Sequence, residues 1–315
     1  MATPSPVQPP DRGHLSTEQP HAGARDLDLL STRDALELFS AADQEAVAAV
    51  EAARGDLALA VDHVAEKLRL GGRLVQIGAG TSGRLAVLDA SECPPTFCSD
   101  PDTLQGVIAG GSKALTQAVE GAEDSRELGV ACVDQRELGP GDVLLGISAG
   151  GTTPFVHAAI ERARQRGATT IFMTCVPSQQ VASPADLTIR LLTGPELIAG
   201  STRLKAGSAT KLALNALSTL VMVRLGKVHG NLMVDVDTSA NLKLVERGTR
   251  ILMSLLEVPR DEAQRVLSAA GGRVKVAALM GRLNDDREQA LARLEACGGS
   301  LRRALTAAEG SSPSS

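Results

Sequence analysis

Apolar positions follow two regimes along the chain. From residue 27 to residue 70 they recur every three or four positions, in "RDALELFSAADQEAVAAVEAARGD" and "DLALAVDHVAEKLRL". That spacing predicts helices, with Ser31 or Thr32 as the opening cap and Gly71-Gly72 as the stop. Short, continuous apolar runs then take over. Residues 74–77, 143–147, 170–174 and 187–192 read as buried strands. The first two run into glycine-rich loops and then helices, one from about Gly83 and one over "FVHAAIERARQRG". Strands alternating with helices predict an α/β fold, a doubly wound and mainly parallel sheet flanked by helices. A long apolar helix over about 207–225 closes this part. Beyond "HGNLMVDVD" the period is helical throughout, and the stretch from "RDEAQ" to "RRAL" predicts three short helices separated by glycine pairs and "NDD". The expected organisation is a disordered N-terminus over 1–26, a sheet domain with an N-terminal helical arm over 27–239, a small all-helical domain over 240–306 and a disordered tail over 307–315.

Composition narrows the function classes. Hydrophobic residues make up 43% of the 315 positions, enough for a large core, but aromatics make up 1% and there is no Trp or Tyr. A base-stacking nucleic-acid surface is therefore not expected, and a net charge of −5 supplies no basic footprint for DNA or RNA. No apolar run approaches the roughly 20 residues that cross a bilayer. The Pro-rich, polar start has no apolar segment of the secretory kind. The five cysteines form no C-x-x-C pair and are odd in number. They predict a reduced, cytoplasmic setting. No ligand cluster of the H-E-x-x-H type points to a metal.

The candidate chemistry lies in two loops. "IGAGTSGR" runs from Ile77 to Arg84 and "ISAGGTTP" from Ile147 to Pro154. Glycines let backbone approach a ligand closely, and free N–H groups at a helix start attract anions. Thr81, Ser82, Ser148 and Thr153 add hydroxyl donors. Ligands of open α/β sheets sit at the carboxyl ends of strands, where both loops fall. The first loop also reads as the dinucleotide pattern G-x-G-x-x-G. The acidic residue that such a site needs about 20 positions on would be Asp100 or Asp102. Both follow "CPPTFCSDPD", whose prolines suit a buried strand poorly. Two hydroxyl-rich loops favour a phosphate.

Longer motifs carry a resemblance. "GAGTSGRLAVLDASECPPTF", "GVIAGG", "AVEGAEDS", "GSTRLKAGSATKLALNALST" and "RLGKVHGNLMVDV" closely resemble the N-acetylmuramic acid 6-phosphate etherases, a family of sugar isomerase (SIS) domain proteins. The resemblance runs from "LDLLST" to the end of the helical, UBA-like part. It implies a SIS fold, a homodimer and no metal or organic cofactor. It also implies cleavage of the D-lactyl ether of N-acetylmuramic acid 6-phosphate to N-acetylglucosamine 6-phosphate and D-lactate, in murein recycling. The implied reaction eliminates lactate across C2 and C3 of the opened sugar and then adds water. Two positioned carboxyls suffice for it, each contributing about 10²–10⁴-fold. The family's catalytic glutamates map onto Glu92 in "ASECPP", as the acid for the leaving lactate, and Glu123 in "GAED", as the base at C2. Glu120, three positions earlier and a neighbour on one helical turn, is the competing residue. The implied substrate and phosphate contacts are Gly80, Thr81, Ser82 and Gly83 in the first loop and Ser148, Gly150, Gly151 and Thr153 in the second. Glu196, Ser201 and Lys205 complete that set.

Each of these residues also has a plainer reading. A glutamate on a surface helix is usually a solvated charge. Ser201 or Thr202 could cap a helix, Lys205 and Lys211 could be solvated, and His157 reads as a packed histidine. The second loop departs from the family, which commonly reads I-A-A-S-G-R-T-P-Y. Gly150 stands where the family has a phosphate-binding Ser, Thr152 where it has Arg, and Ser148 where it has Ala. Three other activities compete with the etherase. A sugar-phosphate-sensing SIS regulator would bind without turnover, a sugar-phosphate isomerase would share the fold and a carboxylate base, and an NAD oxidoreductase would use the first loop.

Overall fold

A computed structural model describes residues 11–236, 238 and 242–309. Helix α1 (Thr32–Ala52) opens under Ser31, whose side chain accepts the Asp34 N–H at 3.2 Å, the cap expected from sequence. Helix α2 (Arg54–Arg69) ends at Gly71, which takes φ +88°, while Gly72 N–H returns to the Lys67 carbonyl at 3.0 Å. The strands are β1 (Leu74–Gly78), β2 (Leu104–Ile108), β3 (Val143–Ile147), β4 (Thr169–Thr174) and β5 (Leu187–Arg190). They form one sheet in the order β2-β1-β3-β4-β5. β3 and β4 pair in parallel from Val143↔Thr169 to Ile147↔Met173, and β4 and β5 from Ile171↔Leu187 to Thr174↔Arg190. Helices α3 (Gly80–Phe97), α4 (Arg126–Gln135), α5 (Pro154–Gln165) and α6 (Lys205–Arg224) connect and cover the strands. This is the expected doubly wound α/β sheet.

Several details differ from the sequence expectation. β2 was not anticipated. Its centre is Gly106, where an added Cβ would collide with the backbone of Val87 on α3. The missing side chain lets α3 lie directly on the sheet, and it also weakens the apolar run in "LQGVI". α3 begins at Gly80 rather than near Gly83 and continues through Pro94 and Pro95 to Phe97. Cys98 then takes a left-handed φ of +47° and ends it. Residues 11–26, expected to be disordered, carry short 3-10 turns at Ser16–Glu18 and Ala22–Ala24, with Leu15 and Thr17 fully buried. Seated Leu15, together with bonds from Ser16 N–H to Gln180 Oε1 and from Gly200 N–H to the Thr17 carbonyl, both at 3.0 Å, holds this otherwise polar stretch. Residues 1–10 and 310–315, the remainder of the predicted disordered ends, lie outside the described residues. The stretch expected to hold three short helices holds four, α8 (Arg260–Ala269), α9 (Val274–Leu283), α10 (Arg287–Ala296) and α11 (Leu301–Glu309), after α7 (Leu242–Leu256). α6 is, among the described residues, the one helix long and apolar enough to cross a membrane. Its residues Ala206, Ala209, Ala213, Leu214, Leu217, Val221 and Met222 are buried, as in a core helix.

Two compact units emerge. Among the described residues, one comprises 11–60, 75–87 and 106–215, the other 61–74, 88–105, 216–236, 238 and 242–309. The first has a core of Val75, Ile77, Leu144, Phe155, Val156, Ile160 and Phe172. The second gathers Val234, Val236, Ile251, Leu252, Leu267, Val276, Leu279 and Leu294. Within it, buried Lys275 donates to Asp235 at 2.6 Å and to the Gly299 carbonyl at 2.7 Å, which satisfies its charge.

Candidate active site

The first loop is the N-terminus of α3. The first amides of any helix have no partner within it. The carbonyl that Ser82 N–H would use, that of Gly78, is taken by Ala109 N–H at 3.0 Å. Thr81 and Ser82 are half-buried and occupy the first turn. One glycine there is required by crowding: a Cβ on Gly83 would sit 2.6 Å from both the Gly78 carbonyl and Ile108 Cγ1. Gly80 has open space around it but takes φ +52°.

Beside this loop is a cleft of about 330 Å³ lined by Gly80, Arg84, Ala109 and residues 117–123, including Glu120 and Glu123. The glutamates do not share a helical turn, as sequence spacing had suggested. Residues 120–124 form turns, with Gly121 at φ +73° and Asp124 N–H bonded to the Gly121 carbonyl at 3.2 Å. Positive φ breaks the helical path, so both exposed carboxylates reach the same cleft. Arg84 was not singled out from the sequence. It lies four residues beyond Gly80, on the same face of α3. Its Nε donates to the Leu115 carbonyl at 3.1 Å and its Nη2 to that of Gln117 at 3.3 Å. The one signal that could have found it is that it is the cation within "GTSGR".

The second loop is bound up with itself. Ser148 Oγ and Thr153 Oγ1 share a hydrogen bond of 2.8 Å. Ala149's carbonyl accepts from Cys175 N–H at 2.9 Å and Thr174 Oγ1 at 3.2 Å. His157 Nε2 bonds the Gly151 carbonyl at 2.6 Å and meets Phe172 edge-on, ring centroids 5.6 Å apart. His157 is thus a packed residue that also fixes the loop. Gly151 takes φ +77°, and a Cβ there would lie 2.9 Å from Val176 Cγ2. Gly150 is roomy, with Thr17 Oγ1 at 3.7 Å the nearest atom to an added Cβ. Pro154 starts α5 and has no N–H. The next amide, Phe155 N–H, donates to the backbone carbonyl of Glu123 at 3.0 Å. Glu123 is therefore tied by its backbone to the second loop's helix and shares a cleft with the first loop.

The remaining candidates occupy more structural positions. Glu196 is fully buried, and its two oxygens accept the Lys205 and Ala206 amides, both at 2.9 Å. It caps α6. Burial pushes its carboxyl above the usual range despite those amides. Ser201 and Thr202 lie in the turns before α6 and do not take that capping place. Lys205 is buried and ion-paired with Glu45. α6 nevertheless borders the first loop, because a Cβ on Gly207 would lie 3.5 Å from Thr81 Cγ2. Lys211 bonds Asn215 one turn on. Glu92 is exposed on α3, about three turns beyond Ser82 along the helix. Next to it, burial pushes the Cys93 thiol up to about 12, which leaves no thiolate there at neutral pH. Among the described residues no three His, Cys, Asp or Glu side chains gather as a metal site.

A parallel sheet with glycine loops at the carboxyl ends of its neighbouring strands β1 and β3 is the arrangement of a SIS-domain protein. Residues 133–220 match the SIS domain family, and residues 56–164 match the glucokinase regulatory protein N-terminal SIS domain family. Among solved structures, a phosphoheptose isomerase from Francisella tularensis is similar at a TM-score of 0.46 and 19% identity, over 62% of this chain and 100% of that one. Within the class, the chain belongs to the N-acetylmuramic acid 6-phosphate etherase family. It is 58% identical over 270 residues to the N-acetylmuramic acid 6-phosphate etherase of Nostoc punctiforme, covering 86% of this chain and 87% of that one. It is 55% identical over 296 residues to that of Gloeobacter violaceus, covering 94% and 96%.

Proposed function

We propose that the protein cleaves the D-lactyl ether of N-acetylmuramic acid 6-phosphate, giving N-acetylglucosamine 6-phosphate and D-lactate, in amino-sugar recycling. With the sugar ring open, Glu123 takes the C2 proton, made acidic by the C1 aldehyde. The C2–H electrons form a C2=C3 bond, the C3–O bond breaks and the lactate oxygen takes a proton from Glu92. Water then adds at C3 and C2 is reprotonated. The 6-phosphate is held by the loop amides and by Thr81, Ser82, Ser148 and Thr153, with Gly80, Gly83, Gly150 and Gly151 allowing the approach. The observation that carries this reading is the position of Glu123, tied at 3.0 Å to the start of α5 and facing the cleft beside Gly80. A D-lactate assay on the phosphorylated and unphosphorylated sugars tests it, and release from the phosphorylated sugar alone is expected. In labelled water, a solvent oxygen at C3 and exchange at C2 are expected. Retention of the original C3 oxygen would overturn the elimination.

The proposed division is a SIS domain with its helical arm over 27–239 and a helical domain over 240–306; the hydrophobic cluster of the helical part supports it but also takes in Leu232, Met233, Val234 and Val236 from before the boundary. A homodimer is proposed as the family resemblance implies, with exposed Leu29, Leu36 and Ile198 among the apolar surface it would cover. A concentration-independent monomer mass by light scattering would contradict it. Five free cysteines support a cytoplasmic setting. The match of residues 56–164 to the glucokinase regulatory protein family favours a second reading, a sugar-phosphate sensor. Tight binding without lactate release would decide for it.

A further inference from the structure

The proposed substrate carries two anions, and the glycine loops account for only the phosphate. The lactyl carboxylate hangs from C3, beside the C2 at which Glu123 acts, so it enters the cleft that Glu123 lines. Two glutamates already face that cleft, Glu120 and Glu123, and would repel it. Arg84 is the only cation among the described residues lining the cleft.

We propose that Arg84 binds the lactyl carboxylate and so makes the site prefer the lactyl sugar phosphate over the plain amino-sugar phosphate. This rests on the etherase reading above. Two bonds, from Nε to Leu115 and from Nη2 to Gln117, fix the guanidinium plane. Both acceptors are neutral backbone carbonyls, and among the described residues no carboxylate forms an ion pair with Arg84, so part of its guanidinium is left for a ligand. A guanidinium has five N–H donors, of which two are used here, and Nη1 remains uncommitted. A planar fork held in advance matches a carboxylate and loses little freedom on binding it. Lysine would keep the charge but could not hold both carbonyls and a carboxylate. Arg84 touches the substituent that leaves rather than the proton that moves, so it is a specificity residue, distinct in role from Glu123.

Binding in a Glu123→Gln protein, which holds the sugar without turning it over, isolates the effect. Calorimetry would compare N-acetylmuramic acid 6-phosphate with N-acetylglucosamine 6-phosphate, which lacks the lactyl group. Adding Arg84→Gln is expected to weaken the first roughly ten- to hundredfold, the range of one charge-assisted hydrogen bond, and to leave the second nearly unchanged. Equal weakening of both would show that Arg84 only positions residues 115–117, and weakening of neither would remove any role in binding. Both results overturn the proposal. Arg84→Lys guards against misfolding of the Gln variant. Its preference for the lactyl sugar must fall below that of the Arg84 protein, and an equal preference overturns the proposal too. Lactate release by the protein with Glu123 and Arg84 intact is measured alongside. Its absence would refute the etherase reading and not the assignment of Arg84.

Discussion

The two glycine loops share one plan, a buried strand that ends in glycines and hydroxyls and turns into a helix, but they are finished differently. In the first, Thr81 and Ser82 lie in the opening turn of α3, where the amides have no helical partner. In the second, Ser148 and Thr153 bond each other at 2.8 Å, and Ala149 and Gly151 have their carbonyls occupied. The first loop keeps its donors for a ligand. The second spends most of its groups on its own shape and uses the next helix to hold Glu123. Departure from the family pattern at Gly150 and Thr152 falls in the loop whose two hydroxyls already bond each other, so the first loop is expected to carry most of the phosphate contact.

The strongest test of this division removes what the second loop supports. Glu123→Gln should lower lactate release by about 10²–10⁴-fold with no loss of thermal stability, and Glu92→Gln should do the same. Glu120→Gln should be mild. A dead Glu120 variant beside an active Glu123 variant would exchange their roles. Next comes the contrast between loops. Ser82→Ala should weaken sugar-phosphate binding roughly ten- to hundredfold, since a hydrogen bond to a charged group contributes about 1.5–3 kcal/mol. Ser148→Ala should cost clearly less, because its hydroxyl is committed to Thr153. Equal losses in a binding titration would mean that the second loop exchanges that bond for the phosphate, and Gly150→Ser should then rescue the Ser148 variant.

Smaller effects probe the scaffold. Gly83→Ala places a methyl 2.6 Å from the Gly78 carbonyl and Ile108. It should destabilise by about 1–3 kcal/mol, visible as a drop in Tm. Gly80→Ala has open space and pays mainly for its left-handed φ, about 1–2 kcal/mol. A Gly80 variant that melts below the Gly83 variant would contradict the crowding seen at α3. Smallest is the clip between α4 and α5. Asp134 accepts from Arg162 Nε at 2.8 Å, with Arg166 also paired to it at 3.3 Å. The Arg162 hydrogen bond holds the Asp134 carboxyl below its usual range. A depressed carboxyl contributes stability above its unfolded pKa of about 3.9 and loses it as pH falls through the folded value. Asp134→Asn should therefore lower Tm slightly at neutral pH and make no difference once the pH is below the folded-state value. The same decrement at both pH values would assign the effect to packing instead.

Much of this was legible in the chain itself. β1, β3 and β4 are short, mostly apolar runs, and their burial on both faces is what such runs mean. Ser31 and Gly71-Gly72 marked helix ends because their chemistry acts locally. β2 escaped because Gly106 serves contact with α3 rather than the strand pattern. The last turn of α3 escaped because Pro94 and Pro95, poor within a helix, are tolerated next to its end. The glutamate pair Glu120 and Glu123 was found, but the turn set by Gly121 was read as a helix. Arg84 was missed because its value lies in contacts with Leu115 and Gln117, some thirty residues away. The two capping amides of Glu196 were likewise invisible, since a spacing of nine residues across a loop has no local signature.

The bond from Phe155 N–H to the Glu123 carbonyl also sets a schedule. The chain is made from its N-terminus, so Glu123 leaves the ribosome well before the helix that braces it. Until α5 has emerged and docked, the glutamate stands on turns without this bond. A nascent or truncated chain that stops short of α5 can carry both glutamates and still be silent. Activity would then appear late in synthesis and abruptly, which keeps a half-built protein from acting on sugar phosphates.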